Sequence, residues 1–125
     1  MIIHGIVRAG QGKGRAFTQL DWVRRQFCDK LGFDPYPGTL NLHIEDRAAL
    51  ASLRTRQGSV IEPEEEGYCR ARAVPVRVNG RIAAAWIIPD VPGYPGDVME
   101  LMAPVSLRDA LKLKDGDSVR VEVAD

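Results

Sequence analysis

Thr39 and Asn41 stand two residues apart directly after the turn-forming run Pro35-Tyr36-Pro37-Gly38, in the order Gly38-Thr39-Leu40-Asn41-Leu42. Side chains alternate along a strand, so the hydroxyl and the amide share one face while Leu40 and Leu42 occupy the other. Both polar groups are neutral, hard oxygen donors, which suit Mg²⁺ when a polyphosphate brings the negative charge. The pattern points to phosphate handling without an acidic cage. The plain alternative is a Thr and an Asn that hydrogen-bond the backbone of their own turn.

A second group is Gly10-Gln11-Gly12-Lys13-Gly14-Arg15. It has neither the GK[ST] ending of a P-loop nor the spacing of the dinucleotide fingerprint. Three glycines in five residues nevertheless let backbone N–H groups approach an anion, and Lys13 and Arg15 add positive charge. A flexible turn is the simpler reading. Arg108 falls in the first turn of a short helix opened by Ser106, where free N–H groups favour anions. Otherwise it is a surface arginine. Glu100 is the one polar residue in Val98-Met99-Glu100-Leu101-Met102, and is either solvated or a hydrogen-bond acceptor facing a cavity. His43 shares the face of Thr39 and Asn41, either lining a site or standing as an ordinary strand histidine. His4 and His43 offer no Ser-His-Asp or Cys-His set and no zinc motif. Cys28 and Cys69 lack CxxC spacing, which makes them reduced, structural residues.

These residues need elements to hold them. Residues 2–7 read as a strand, and regular structure stops over residues 8–15. Thr18 and Asp21 resemble a capping box for a helix with Val23, Phe27 and Leu31 on one stripe, ended by Gly32. A strand over 40–44 and a short helix after Asp46 follow. Glu62, Glu64, Glu65 and Glu66 mark a solvated loop. Residues 71–78 and 81–88 flank Asn79-Gly80, a strong hairpin signal. Residues 89–96, with three prolines and two glycines, form an irregular loop. A strand over 98–102, a helix capped by Ser106 with Asp109, a turn at 114–117 and a strand over 118–123 complete the chain. About six short strands with two or three helices exclude a doubly wound parallel sheet and favour a small, mostly antiparallel β-barrel with peripheral helices.

The 125 residues suffice for one domain spanning 1–125 with its own core. Lys plus Arg and Asp plus Glu both number 17, and the sequence pI is near 6.7, so no overall basic field is available for nucleic acid. The start lacks a basic segment leading into an apolar run, and nowhere do about 18 apolar residues follow one another. A cytoplasmic protein with no membrane partner is expected.

Taken together, the chain resembles the archaeal-type CTP-dependent riboflavin kinases. The resemblance rests on the glycine-rich stretch 5–15, on Leu31-Gly32-Phe33-Asp34 leading into Pro35-Tyr36-Pro37-Gly38-Thr39-Leu40-Asn41-Leu42, on Glu100-Leu101-Met102-Ala103-Pro104 with Leu107-Arg108, and on the closing turn 113–119. It implies a six-stranded cradle-loop barrel of RIFT type, with short peripheral helices, that transfers the γ-phosphate of CTP to the 5′-hydroxyl of riboflavin, giving FMN and CDP. By the same resemblance Gly10, Gln11, Gly12, Lys13, Gly14 and Arg15, with Val105, Ser106, Leu107 and Arg108, hold the nucleotide. Thr39 and Asn41 bind Mg²⁺, and Glu100 contacts the flavin. Phosphoryl transfer depends on positioning, metal and donors to phosphate more than on a strong base, so the lack of a catalytic histidine is no objection. Glu100 is a candidate to receive the hydroxyl proton where the substrate pose brings them into hydrogen-bond reach.

One position departs from the family pattern. Where the family places a threonine eight residues before the glutamate, in a T-x-H-type stretch that helps bind flavin, this chain has Pro92, with Tyr94 nearby as a ring able to stack on the flavin. Nucleotide binding is therefore better supported than riboflavin as the acceptor. A kinase of the same fold for another small alcohol, or a noncatalytic nucleotide-, flavin- or DNA-regulatory barrel module, is the alternative.

Overall fold

Alternation in sequence becomes alternation in burial. In the last strand Val119, Val121 and Val123 are buried and the residues between them are exposed. The computed structural model describes residues 1–10 and 13–124. In chain order the elements are β1 (Ile2–Arg8), α1 (Lys13–Gln19), α2 (Asp21–Leu31), β2 (Leu40–His43), α3 (Arg47–Leu53), β3 (Ser59–Ile61), β4 (Ala71–Val78), β5 (Ile82–Pro89), β6 (Val98–Met102), α4 (Leu107–Ala110) and β7 (Ser118–Val123).

The strands pair antiparallel in the order β3-β4-β5-β6-β2-β1-β7, and β7 returns to β4. Six of them therefore close the mainly β barrel expected from the sequence. The short β3 was not foreseen. It pairs with Ala71 to Ala73 of β4, whereas β7 pairs with Val76 to Val78 on the same strand. Pro75, which has no N–H for a ladder, stands between the two pairings where β4 changes partner. The expected hairpin forms, with Asn79 at φ 51° and Gly80 at φ 66°.

The wall formed by β4, β5 and β6 is buried on both faces, which explains the unbroken apolar run of β5. Trp86 points into the barrel with Leu40, Leu101 and Val74. Ala73, Ala85, Ile87 and Met102 face outward beneath Trp22, Val23 and Phe27 of α2. The small alanines let the helix lie close to the sheet. Buried Gln26 fastens α2 to the end of β3, donating to the Glu62 carbonyl at 2.8 Å and accepting from the Glu62 N–H at 2.9 Å. Residues 62 and 64–67 are exposed, as the charge run implies.

Two local expectations fail. Residues 8–15 are not wholly irregular, because β1 runs to Arg8 and α1 begins at Lys13. The Thr18–Asp21 capping box does not form. Leu20 is the N-cap of α2, without a side-chain bond, and Thr18 lies inside α1. Its hydroxyl is already used, donating to the Arg15 carbonyl at 2.9 Å and accepting from the Gly38 N–H at 2.8 Å. A helical threonine can bond back to the preceding turn in this way. The bond from the Gly38 N–H to the same oxygen ties α1 to the turn before β2.

Thr18 is only 1% exposed, so Thr18→Val should leave the Gly38 N–H without its partner in a dry environment. A loss of about 1–3 kcal/mol in urea unfolding is expected, with Thr18→Ser losing less. Equal stability of Thr18→Val and the parent protein would refute the tie.

Candidate functional site

Strand register decides what meets at the site. Arg8 of β1 pairs with Asn41 of β2, Asn41 pairs with Glu100 of β6, and Glu100 pairs with Ile87 of β5. Directly paired residues point to the same side. Arg8, Asn41, Glu100 and Ile87 thus form one row across the outside of the barrel, with neighbours about 5 Å apart. The adjacent row, Leu40, Leu101 and Trp86, points into the core. The row ends in apolar packing under α2 on one side and a cation on the other.

A cavity of about 1000 Å³ stands over this row. Among the described residues it gathers Thr39, Asn41, Glu100, Tyr94, Gly10, Gly14 and Arg15, together with Val105, Ser106, Leu107 and Arg108. Gln11 and Gly12 lie outside the described residues, and the Lys13 side chain is likewise not described. Pro92 does not line the cavity; Tyr94, Pro95 and Asp97 of the same loop do. His43 does not line it either. Its Nδ1 lies 3.2 Å from Asp97 Oδ2, but without hydrogen-bonding alignment.

Close backbone approach accounts for two of the glycines. A Cβ on Gly10 would fall 2.0 Å from Asn41 Nδ2, and one on Gly14 would fall 2.6 Å from Thr39 Oγ1. Any side chain at either position would displace the two polar groups that the sequence singles out. Gly10 and Gly14 therefore pack the chain against Thr39 and Asn41, a role that spacing alone did not distinguish from anion binding.

Charge is separated across the cavity although the chain is neutral overall. Arg8, Arg15 and Arg108 come from β1, α1 and α4, while Glu100 and Asp97 come from β6 and the loop before it. Ser106 caps α4 by accepting from the Asp109 N–H at 3.2 Å, which places Arg108 at the rim. Arg108 donates to Asp115 at 2.8 Å, with both side chains substantially exposed. That exchangeable pair holds the guanidinium without burying it.

Four lining or supporting residues escaped the sequence reading of the site. Arg8 and Asp97 are visible only once strand register is known. Tyr36, 44% exposed, lines the cavity, and its N–H donates to the Ala103 carbonyl at 2.7 Å. That bond joins the 35–42 segment to the 100–104 segment. Arg54, at the end of α3, lies 5.8 Å from the Tyr94 ring centroid and donates to the Pro95 carbonyl at 2.7 Å.

Tyr94 donates its phenol to Glu100 Oε2. Burial first, then the hydrogen bond and charge of Glu100, push the Tyr94 phenol well above its ordinary value, against a smaller opposing effect of Arg54. Tyr94 is thus a proton donor throughout the neutral range.

As for a metal, no group of three or more His, Cys, Asp or Glu among the described residues is arranged to hold one. Thr39 and Asn41 contribute neutral oxygens. Such a pair would fit Mg²⁺ carried by a polyphosphate, which would supply the remaining oxygen ligands and the negative charge. It does not fit a protein-only cation cage.

The sequence matches the CTP-dep_RFKase family, a domain described as of unknown function (DUF120), over residues 7–123. It is 45% identical over 126 residues to the riboflavin kinase of Archaeoglobus fulgidus, covering 97% of this chain and 54% of that protein. Identity to the riboflavin kinase of Methanocella arvoryzae is 40% over 120 residues, covering 96% of this chain and 56% of the relative. With that of Ignicoccus hospitalis it is 40% over 126 residues, covering 97% and 70%. The chain spans about half the length of the first two. No helix among the described residues is long and apolar enough to cross a membrane.

The raised Tyr94 phenol has a defined pH consequence. Its proton is held more tightly in the folded than in the unfolded chain. The stability this contributes is therefore present below the unfolded value near 10 and is lost as pH rises above it. In an ultraviolet titration of the folded protein the Tyr94 phenol should stay protonated where an ordinary phenol ionises. Tyr94→Phe should therefore leave the folded-state titration unchanged, and loss of a step in the variant would contradict the assignment.

Proposed function

The chain belongs to the CTP-dependent riboflavin kinase family, and from that premise we propose that it transfers the γ-phosphoryl group of CTP to the 5′-hydroxyl of riboflavin. The observation that carries this reading is the convergence of Thr39, Asn41, Glu100 and Arg108, from three separate stretches of sequence, on one cavity. A noncatalytic role would not require donors for a nucleoside triphosphate and an acceptor for a hydroxyl to share one cavity.

In this reading the cationic flank takes the nucleotide. Arg15 and Arg108 reach the phosphates, Arg108 exchanging its Asp115 contact for a phosphate oxygen, and Gly10 and Gly14 offer backbone N–H groups. Thr39 and Asn41 would hold Mg²⁺, which would supply charge neutralisation at the phosphate oxygens. Exposed Tyr36 and Val105 form an apolar rim suited to a flat ring.

On the opposite flank Glu100 accepts a hydrogen bond from the riboflavin hydroxyl. As the hydroxyl oxygen bonds to the γ-phosphorus, the bond from that phosphorus to the β,γ-bridging oxygen breaks and CDP departs. The hydroxyl proton passes to the Glu100 carboxylate. Asn41, between Glu100 and Arg8 in the row, keeps the two charged groups about 10 Å apart, so that acceptor and phosphates meet between them instead of neutralising each other. Because the transition state is loose, this positioning supplies most of the catalysis.

The deciding assay supplies CTP or ATP with Mg²⁺ and riboflavin and follows FMN and nucleoside diphosphate by chromatography. Formation of FMN and CDP in equal amounts, with CTP preferred over ATP, is expected; CTP binding without FMN would redirect the search to another alcohol or to a sensor.

By calorimetry, Thr39→Ala and Asn41→Ala should each weaken Mg²⁺-dependent CTP binding by about tenfold, which is about 1.4 kcal/mol, while preserving the circular dichroism of the barrel. Unchanged affinity in both variants would refute the metal assignment. Arg108→Ala should lose about 1–2 kcal/mol of CTP affinity even without Mg²⁺, given the partial exposure of the side chain.

A further inference from the structure

Residues 90–97 link β5 to β6 and are held at several points. The Asp90 N–H donates to Arg70 at 2.8 Å, the Asp97 carbonyl accepts from Ile44 at 2.7 Å, and Arg54 holds the Pro95 carbonyl at 2.7 Å. From this anchored loop the half-buried Tyr94 reaches Glu100, with Arg54 near its ring. The phenol brings to the carboxylate the same kind of donor that an alcohol substrate brings.

We propose that Tyr94 determines acceptor specificity by occupying the Glu100 carboxylate that an incoming alcohol must take over. The inference rests on the reading of Glu100 as the acceptor-side group. A tethered donor competes at high effective concentration. An alcohol whose only contact is its hydroxyl therefore cannot displace the phenol. One carried on a larger scaffold can, because its other contacts in the cavity add to the exchange. Displacement frees the loop tip between its anchors, since Arg70, Arg54 and Ile44 hold Asp90, Pro95 and Asp97 while the phenol holds the residues between them. While the phenol remains, it occupies the carboxylate oxygen that would receive an alcohol's hydrogen bond. Tyr94 thereby restrains transfer to water and small alcohols as well.

Tyr94→Phe deletes the hydroxyl and keeps the ring beside Arg54. Two readouts test it: amide hydrogen exchange of residues 90–97 in the ligand-free proteins, and riboflavin titration by flavin fluorescence with a parallel CTP titration. The variant should exchange severalfold faster in 90–97 alone, bind riboflavin about three- to tenfold more tightly and bind CTP as before. Glu100→Gln, which weakens the same contact from the other side, should reproduce the faster exchange. Riboflavin bound equally or more weakly by Tyr94→Phe, or unchanged exchange in both variants, would overturn the proposal. If neither parent nor Tyr94→Phe binds riboflavin while exchange in 90–97 still accelerates, the riboflavin reading fails and the Tyr94 contact stands as a filter for a different alcohol.

Discussion

Everything at this site depends on the hydrogen-bonded register of β2 with its two neighbours. Because β2 pairs with β1 on one edge and β6 on the other, Asn41 has Arg8 and Glu100 as its immediate neighbours. The period of two makes this an all-or-none arrangement. A slip of β2 by one residue would turn Asn41 into the core and bring Leu40 to the surface, away from Arg8 and Glu100. Burial of the leucines therefore fixes the polar row as firmly as any contact within the row itself. Stability and site geometry rest on the same ladder.

Over that ladder the chain lays a second layer at very short range. Gly10 and Gly14 allow the segment after β1 to touch Asn41 and Thr39, and the Thr18 hydroxyl holds α1 to the turn at Gly38. Tyr36 in turn is bonded to Ala103 beyond β6. Three segments far apart in sequence are thus locked around one cavity by a few backbone contacts. None of these contacts uses a charge, which leaves the arginines and carboxylates of the cavity available for ligands or for exchangeable partners such as Asp115.

The loop bearing Pro92 shows how a family scaffold absorbs a local change. Pro92 itself stays out of the cavity, and two residues on Tyr94 reaches Glu100 instead. A side-chain hydroxyl is present here after all, but as a phenol on a loop braced by Arg54, and it reaches the Glu100 carboxylate from the neighbouring turn.

Sequence alone determined the barrel class, most strand limits, the Asn79-Gly80 hairpin, the Ser106 cap and the identity of Thr39, Asn41, Glu100 and Arg108 as residues to watch. These are local signals, carried by period-two alternation, turn chemistry and motif spacing, and each needs only a few neighbouring residues to be read. Tertiary structure decided what no short window contains: the added strand β3, the use of Thr18 as a tie in place of a cap, the pairing of Arg8, Asn41 and Glu100 in one row, and the contact of Tyr94 with Glu100 under Arg54. The physical reason is that a strand's pattern gives its face but not its partner. Register is settled by the packing of the whole barrel, and only then does a residue acquire the neighbours that give it a chemical role.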